Sequence, residues 1–284
     1  MNSSTKLILQ GPGADSDNVN RIAAIVNAKK ITSIAPQAFR CDDIDTSTTL
    51  RSEVAAACHP ARMDGTFMDA SRQLSDFRVL VMDMDSTLIT IECIDEIADM
   101  QGLKTEVAAI TEAAMRGELD FRESLIRRVA LLKGLDASAL HQVFEERLRL
   151  SPGADSLLQG VKAAGLRSVL VSGGFTYFTD RLKTMLALDT TRANLLEVVQ
   201  GKLTGHVIGH IIDAEAKRQT VIDECEALGA SSASAIVIGD GANDLAMMSV
   251  AGLSVAFRAK PVVQAKAHVT LNYTGLDGVL NLFR

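Results

Sequence analysis

Three short apolar runs, each followed at once by a polar or flexible residue, limit the fold of this chain more than any other feature. They span residues 78–82, 168–171 and 235–238. The residues that follow them are Asp83, Ser172 and Gly239. Runs rich in Val, Ile and Leu without polar alternation are typical of parallel strands covered on both faces, and the stretches between them have helical periodicity. The sequence therefore predicts an α/β fold with a Rossmann-like, doubly wound parallel sheet.

Further elements extend this sheet. Short strands are predicted at 253–257 and 269–271, each after a helix-like segment. Residues 197–212 differ, because two β-prone runs flank Gly-Lys-Leu-Thr-Gly, which has the length of a hairpin turn. We predict a hairpin there, with this pentapeptide as its turn.

A long insertion separates the first two strands. About eighty residues between them have little β signal and carry apolar residues at intervals of three and four. This is too long for one crossover helix. We predict a helical cap at about 90–152, which lies over the carboxyl ends of the strands, where open α/β sheets bind ligands.

The first 74 residues form a separate pattern. We predict a strand at 6–9, a helix at 17–27 capped by Asp15 or Ser16, and a strand at 31–34, with turns in the polar stretch that follows. A small α+β domain fits best, although these elements fall short of a full two-helix, four-strand pattern. A linker is expected near 71–78, so that residues 75–284 form the second domain.

Composition excludes several classes of protein. The 284 residues are 47% apolar and 23% charged, which is ordinary for globular chains and close to two domains. Twenty-nine basic against 35 acidic side chains give a net charge of −6, which argues against a nucleic-acid partner. No segment has the roughly 20 uninterrupted apolar residues of a membrane span, and no leader pattern is present. The four cysteines stand far apart, as expected of reduced thiols. We expect a soluble, cytoplasmic protein without a membrane partner.

Acidic residues gather where the predicted strands end. Asp83 and Asp85 follow the first strand, and Gly-Asp-Gly-Ala-Asn-Asp at 239–244 follows the third. Burying like charges together costs several kcal/mol unless one is protonated or a cation lies between them. The second strand ends in Ser-Gly-Gly, whose backbone N–H groups can approach an anion, and Lys217 precedes the third strand. Each feature alone is commonplace, but together and in this order they indicate a hard cation and a bound phosphate.

The motifs resemble those of the haloacid dehalogenase (HAD) superfamily, and within it the family of phosphoserine phosphatases. The matching segments are Asp-Met-Asp-Ser-Thr from Asp83, the cap segment 120–132, Val-Ser-Gly-Gly-Phe at 171–175 and the 239–248 segment. The resemblance covers 78 to about 273. It implies a HAD-like sheet with a helical cap, and an N-terminal domain similar to ACT-type amino-acid-binding regulatory domains.

The resemblance also implies a mechanism. Asp83 would attack the phosphorus of a monoester and become an aspartyl phosphate, which water then hydrolyses. Asp85 would be the general acid and then the base. Mg²⁺ would be held by the Asp83 carboxylate, the Asp85 carbonyl and the Asp240 carboxylate, with Asp244 orienting this set. The phosphate would be bound by Ser172, Gly173, Lys217 and Asn243.

Substrate choice is predicted from the cap. In the family, a glutamate matching Glu92 faces the substrate's ammonium group, and an arginine matching Arg128 binds its carboxylate. Met115 and Phe121 match apolar positions that shield the site from water. Commonplace roles stay open here, because Arg128 beside Arg127 is also typical of a solvated helix face, and Phe121 of a cap core.

The resemblance thus implies hydrolysis of O-phospho-L-serine to L-serine and phosphate, the last step of serine biosynthesis. Two alternatives stay open. The same residues serve a phosphatase or phosphotransferase for another small phosphomonoester, and the chain could be an amino-acid sensor with a vestigial catalytic domain. The N-terminal region is expected either to bind an amino acid or to help the chain form a homodimer.

Overall fold

The computed structural model describes residues 5–115 and 118–284, without the side chain of Met115. The strands are β1 (Thr5–Gln10), β2 (Lys30–Ala35), β3 (Ala38–Asp42), β4 (Asp64–Asp69), β5 (Val79–Met82), β6 (Arg167–Phe175), β7 (Thr190–Val199), β8 (Lys202–Ile208), β9 (Ala235–Gly239), β10 (Leu253–Phe257) and β11 (Val269–Leu271). The helices are α1 (Ser16–Ile25), α2 (Thr48–Cys58), α3 (Cys93–Met100), α4 (Lys104–Met115), α5 (Phe121–Leu131), α6 (Ser138–Gln142), α7 (Ala154–Ala163), α8 (Thr176–Leu186), α9 (Ala214–Glu226), α10 (Leu245–Met248), α11 (Pro261–Gln264) and α12 (Gly278–Asn281).

The predicted parallel sheet is confirmed. Its strand order is β11-β10-β9-β5-β6-β7-β8, and only β8 runs antiparallel to its neighbour. Every residue of β5 is buried because helices cover both faces of the sheet. Leu80 and Met82 pack in the core that includes α7 and α8, whereas Val79 and Val81 pack in the core that includes α9 and α10. The fold is therefore α/β and doubly wound, as predicted.

The hairpin at the sheet edge is present, but the predicted position of its turn was wrong. Val199 pairs with Lys202, so the turn consists of Gln200 and Gly201 alone, and residues 202–205 belong to β8. Both turn residues have positive φ, 50° and 77°, as the tight turns that match the twist of a hairpin require. The sequence Gln-Gly gave little sign of such a turn.

The helical insertion follows β5, as predicted, and comprises α3 to α6. Its two connections to the sheet run side by side: Ile89 pairs with Leu150, and the Ser151 N–H donates to the Leu88 carbonyl at 2.9 Å. We call this paired segment, residues 88–90 with 149–152, the hinge of the cap. α5 packs on β8, and the loop after α5 bonds the outer edge of β8 through Gly134 N–H and the Leu203 carbonyl at 2.8 Å. The hairpin therefore supports the cap.

The N-terminal region has more structure than predicted. Its elements run β1-α1-β2-β3-α2-β4 and form an antiparallel sheet in the order β2-β3-β1-β4. Two helices and four strands make the full pattern, so the expectation of an incomplete one was wrong. The polar stretch predicted as turns contains the end of β3 and, after the Ser47 cap, the start of α2. α2 was missed because only Val54 and Cys58 are buried in it. The domain boundary near residue 75 stays a prediction.

Other expectations concern caps, cysteines and membranes. The Asp15 carboxylate caps α1 by accepting from Asn18 N–H at 2.8 Å. The four cysteines are buried and free, as expected of reduced thiols. Among the described residues, no helix combines the length and the apolar character that a membrane crossing needs.

A buried carboxylate joins the N-terminal sheet to the rest of the chain. Asp64, at the start of β4, is only 4% exposed. Its two oxygens accept hydrogen bonds from the N–H groups of Asn272, Tyr273 and Thr274 at 2.8–3.1 Å, and from the Thr274 hydroxyl at 3.0 Å. The chain then reaches the hinge of the cap, where Leu276 N–H donates to the Pro152 carbonyl at 2.7 Å. Asp64 therefore makes a buried polar contact of four hydrogen bonds between the N-terminal sheet and the segment that follows β11.

Replacing Asp64 by Asn tests this contact. An amide presents N–H groups where the 272–274 backbone also presents donors, so at least one buried donor loses its partner. We expect the free energy of unfolding to fall by about 2 kcal/mol. Urea unfolding measures it, with Asp43→Asn, at an exposed residue just after β3, as control. Equal stability of the two variants would contradict the assignment.

Candidate active site

The carboxyl ends of β5 and β9 bring the predicted acids together. Asp83 extends the pairing of these strands by donating its N–H to the Ile238 carbonyl at 3.0 Å. Asp240 follows β9 directly, and Asp244 comes one helical turn later. One carboxylate oxygen of each residue lies within 4.8 Å of the others. The neighbouring strand ends thus place three acids in one cluster, as the sequence predicted.

Asp85 is aimed into the same cavity by a sharp turn. Ser86 has φ +54°, a left-handed conformation that reverses the chain after β5. The Asp85 carboxylate then accepts from Cys93 N–H at 2.9 Å, at the start of α3, and from the Ser172 hydroxyl at 3.4 Å. Burial raises the pKa of Asp85, which favours a protonated carboxyl. The residue is therefore suited to carry a proton.

Lys217 lies between two of the acids and is 1% exposed. Its ammonium group contacts Asp83 Oδ1 and Asp244 Oδ1, each at 2.8 Å. Although burial lowers its pKa, the charges of Asp244 and Asp83 outweigh burial and raise the pKa of Lys217. The lysine is therefore a fixed cation. Met84 N–H also donates to Asp83 Oδ1, at 2.7 Å. Within the described chain, Oδ2 of Asp83 has no hydrogen-bond donor, which leaves this oxygen for chemistry.

Asp244 is fully buried, and protein donors occupy both of its oxygens. Oδ1 contacts Lys217, and Oδ2 accepts from the N–H groups of Asp240 and Gly241 at 3.1 and 3.0 Å. Gly239 permits this approach, because a Cβ there would lie 2.4 Å from Asp244 Oδ2. Asp244 therefore holds Lys217 and the backbone that carries Asp240.

The charges at this edge of the sheet do not balance. Four carboxylates, Asp83, Asp85, Asp240 and Asp244, lie near two ammonium groups, those of buried Lys217 and of Lys260 at the cavity wall, so negative charge is in excess. Burial, followed by the charge of Asp244, raises the pKa of Asp83 and raises that of Asp240 to about 6. Oxygen ligands in an electron-rich, partly buried cluster are what hard divalent cations prefer. The residues present therefore fit a metal ion of the Mg²⁺ type.

A glycine-rich loop lines the opposite side of the cavity. Ser172, at 0% exposure, accepts from Gly174 N–H through its Oγ at 2.8 Å. A Cβ on Gly174 would lie 2.7 Å from Asp85 Oδ2, so this position needs glycine. Gly173 and Asn243 also line the cavity. The loop thus presents small groups and backbone N–H donors of the kind that bind oxyanions.

The cap supplies the outer wall. Glu92 accepts from the Ser86 hydroxyl at 2.6 Å, and burial together with the charge of Asp85 raises the pKa of Glu92 to about 7. Arg128 lines the cavity and donates to the Ser124 carbonyl at 3.4 Å. Its neighbour Arg127 instead pairs with Glu123 on the surface, at 2.6 Å. The two arginines therefore face different ways, and only Arg128 is available to a ligand.

Phe121 packs on the glycine-rich loop: a Cβ on Gly173 would lie 2.6 Å from its ring. Met115 ends α4, and its side chain lies outside the described residues, so its predicted role stays a prediction. Most of the other predicted residues line one cavity of about 870 Å³: Asp83, Asp85, Glu92, Phe121, Arg128, Gly173, Asp240 and Asn243. Ser172, Lys217 and Asp244 are buried and contact this lining through Asp85, Asp83 and Asp240.

Several residues in the cavity wall or in contact with it were not predicted. Thr87 donates its hydroxyl to Asp240 Oδ1 at 3.0 Å, and Ser86 bonds Glu92. Asp95 and Lys260 line the cavity as well. Ser86 and Thr87 follow Asp85 directly, so their position in the sequence was a signal. Lys260 had none, because it reaches the site from the loop after β10.

Comparison with known proteins gives the class. The sequence profile of the haloacid dehalogenase-like hydrolase family matches residues 77–252, which are most of the chain. The chain belongs to this family, and the resemblance found in the motifs is confirmed.

Several individual members of this family are similar to the chain over most of its length. A phosphoserine phosphatase from Polaromonas sp. is 55% identical over 217 residues, which are 75% of this chain and 92% of that protein. The crystal structure of a HAD family hydrolase from Salmonella enterica serovar Typhi is similar over 99% of both chains, with 31% identity and a TM-score of 0.89. A probable phosphoserine phosphatase from Vibrio cholerae, in its unliganded form, is 36% identical with a TM-score of 0.84, over 99% of this chain and 86% of that one.

The charge imbalance predicts opposite effects of Asp240→Asn with and without metal. The folded pKa of Asp240 is raised to about 6, above that of an unfolded chain, so its ionised form destabilises the fold above that pH. Without metal at about pH 8, we expect the variant to be more stable by about 1 kcal/mol. Asn also keeps an acceptor for Thr87. Added Mg²⁺ should raise the melting temperature of the wild type but much less that of the variant.

Urea unfolding in chelator and thermal melts with Mg²⁺ measure these effects. The exposed Asp43→Asn variant is the control. A less stable metal-free Asp240→Asn variant, or an equal Mg²⁺ effect on both proteins, would contradict the metal assignment.

Proposed function

We propose that this chain hydrolyses O-phospho-L-serine to L-serine and inorganic phosphate, with Asp83 as the nucleophile. The observation that carries the proposal is one cavity with two chemically distinct sides. On the sheet side Asp83, Asp85 and Asp240 line it, and buried Lys217 pairs with Asp83. On the cap side, an acid and a base, Glu92 and Arg128, face the same space. The first side suits phosphoryl transfer, and the second suits a zwitterion. The phosphoserine phosphatase among the relatives at 55% identity agrees with this reading.

The first step is attack by Asp83 on phosphorus. Its Oδ2 is the oxygen without a donor, whereas Lys217 and Met84 N–H hold Oδ1 and fix the orientation of the carboxylate. Bound Mg²⁺, held by Asp83, Asp240 and the Asp85 carbonyl, would neutralise the repulsion between the carboxylate and the phosphate dianion. Lys217 adds a positive charge from the protein itself. Ser172, Gly173 and Asn243 would bind the phosphoryl oxygens.

Asp85 would move the proton in both steps. The serine oxygen leaves poorly as an alkoxide, so Asp85 protonates it, and the ionised Asp85 then takes a proton from the water that attacks the aspartyl phosphate. Its raised pKa supports the first duty. The hydrogen bond from Cys93 N–H stabilises the carboxylate and supports the second.

Glu92 and Arg128 would bind the amino-acid part of the substrate. A guanidinium pairs with a carboxylate through two parallel hydrogen bonds, and the glutamate balances the α-ammonium group. Burial lowers the pKa of Arg128, while the charges of Asp95 and Glu92 oppose this. Phe121, packed on Gly173, would exclude water from the reacting phosphate.

The proposed activity would be the last step of serine biosynthesis in the cytoplasm, with Mg²⁺ as cofactor. A homodimer stays a prediction, which sedimentation of the full chain tests. The alternative reactions are outcomes of the substrate test below.

Substrate selectivity tests the cap residues. Glu92→Gln and Arg128→Gln should each lower kcat/KM for phosphoserine by about 100-fold, because a hydrogen bond to a charged group contributes about 1.5–3 kcal/mol. The kcat/KM for p-nitrophenyl phosphate, which lacks both groups, should change little. Arg127→Gln, on the solvent side of the same helix, is the matched control. An equal loss for both substrates, or a wild type that does not prefer phosphoserine, would favour another phosphomonoester. Phosphate transfer to an added alcohol would favour a phosphotransferase.

The double duty of Asp85 predicts a loss in both steps. Asp85→Asn keeps an oxygen for Cys93 N–H but can neither give nor take the proton. Formation and hydrolysis of the aspartyl phosphate should each slow by about 10²–10⁴-fold. Rapid-quench single turnovers separate the two rates. A variant with one step at the wild-type rate would show that another group serves that step.

A further inference from the structure

One buried polar side chain next to the cavity has no part in the mechanism above. Asn194, in β7, is 1% exposed and makes two hydrogen bonds of 2.8 Å. Its Nδ2 donates to the Gly173 carbonyl, and its Oδ1 accepts from Ile212 N–H. The two partners need opposite roles, so the orientation of the amide is fixed.

The first bond fills a gap in the sheet. β6 and β7 pair regularly up to Val171 and Arg192, and the next pair is Phe175 with Asn194. Between these pairs β6 bulges by the segment 172–174, which is the predicted phosphate-binding loop. The Asn194 side chain supplies the bulged Gly173 carbonyl with a donor. It therefore replaces a bond of the strand ladder with one that holds the loop.

This bond also fixes groups on the cavity side of the loop. In a trans peptide, the C=O of Gly173 and the N–H of Gly174 point in opposite directions. With the carbonyl held by Asn194, the Gly174 N–H points to Ser172 Oγ, at 2.8 Å. Ser172 in turn directs its hydroxyl hydrogen to Asp85 Oδ2. Asn194 thus fixes the orientation of the peptide group between Gly173 and Gly174, and this peptide group in turn holds the Ser172 hydroxyl.

The second bond ties the loop to the lysine helix. Ile212 precedes Asp213, which caps α9 by accepting from Ala216 N–H at 2.9 Å. α9 carries Lys217 in its first turn. One amide therefore bridges the two elements that would contact the phosphate from different sides.

We propose that Asn194 is a positioning residue, which sets the 172–174 loop against the start of α9 so that both can bind one phosphate. The inference rests on the proposed function for the nature of the ligand. It does not require that the ligand be phosphoserine, because inorganic phosphate probes the same loop.

Asn194→Asp separates the two bonds. The carboxylate keeps an acceptor for Ile212 N–H but turns the donor to Gly173 into an oxygen that repels the carbonyl. With Mg²⁺ at about pH 8, we expect the dissociation constant of inorganic phosphate, measured by calorimetry, to rise by about tenfold or more. The KM for phosphoserine should rise with it. Near pH 6 the ratio of variant to wild-type affinity should recover, because a protonated, buried carboxyl can donate to the carbonyl again.

Two further variants keep the test decisive. Asn281→Asp removes the same kind of donor from a buried bond, to Gln10 at 2.8 Å, on the side of the N-terminal sheet. It should lose stability without losing affinity for phosphate. Asn194→Ser lacks both bonds and should show weak phosphate binding at every pH. If Asn194→Asp binds phosphate like the wild type, or like Asn281→Asp, the inference is overturned. Weak phosphate binding by the variant supports it even if the wild type does not hydrolyse phosphoserine, an outcome that overturns only the proposed function.

Discussion

The crowding of carboxylates around one buried ammonium group is the constraint on which the rest of the structure depends. Lys217 touches two of the acids, yet the cluster keeps an excess of negative charge in a partly buried place. Such an arrangement is costly to the empty fold, and the raised pKa values of Asp83 and Asp240 express that cost. It becomes favourable when a divalent cation binds, because the cation offsets two of the negative charges and leaves less repulsion toward an incoming phosphate. The excess of negative charge that destabilises the metal-free protein is thus what attracts the cation.

The surrounding structure keeps these charges at fixed positions. Gly239 and Gly174 leave room where a Cβ would strike a carboxylate. Both oxygens of Asp244 accept hydrogen bonds, one from Lys217 and the other from the N–H groups of Asp240 and Gly241, so Asp244 fixes the positions of these groups. Residues of the cap line one side of the cavity. The hinge of the cap accepts a hydrogen bond from Leu276 N–H, and Asp64 of the N-terminal sheet binds Thr274, two residues earlier. The side chain of Asp64 and the backbone of Leu276 therefore connect the first sheet to the hinge.

The sequence predicts well the parts of the fold that local pattern determines. β5 and β9 are apolar throughout because helices cover both faces, and their ends carry the acids directly. α2 could not be found in this way, since its buried residues are Val54 and Cys58 alone. The sequence pattern does not indicate Asn194 and Lys260 either, because strand pairing and loop packing bring them beside the cavity. The pattern predicts the acids that gather at the strand ends, and it misses residues such as Asn194 and Lys260 that only the tertiary structure brings beside them.

The central claim is that Asp83 accepts the phosphoryl group. The most direct measurement is to quench the protein with acid during turnover of phosphoserine with Mg²⁺, reduce the acyl phosphate with borohydride, and analyse the peptides by mass spectrometry. Borohydride converts an aspartyl phosphate to homoserine, so the account predicts homoserine in place of Asp83 and at no other acid. Reduction at a different carboxylate, or an unmodified Asp83 in an enzyme that is turning over, would contradict it.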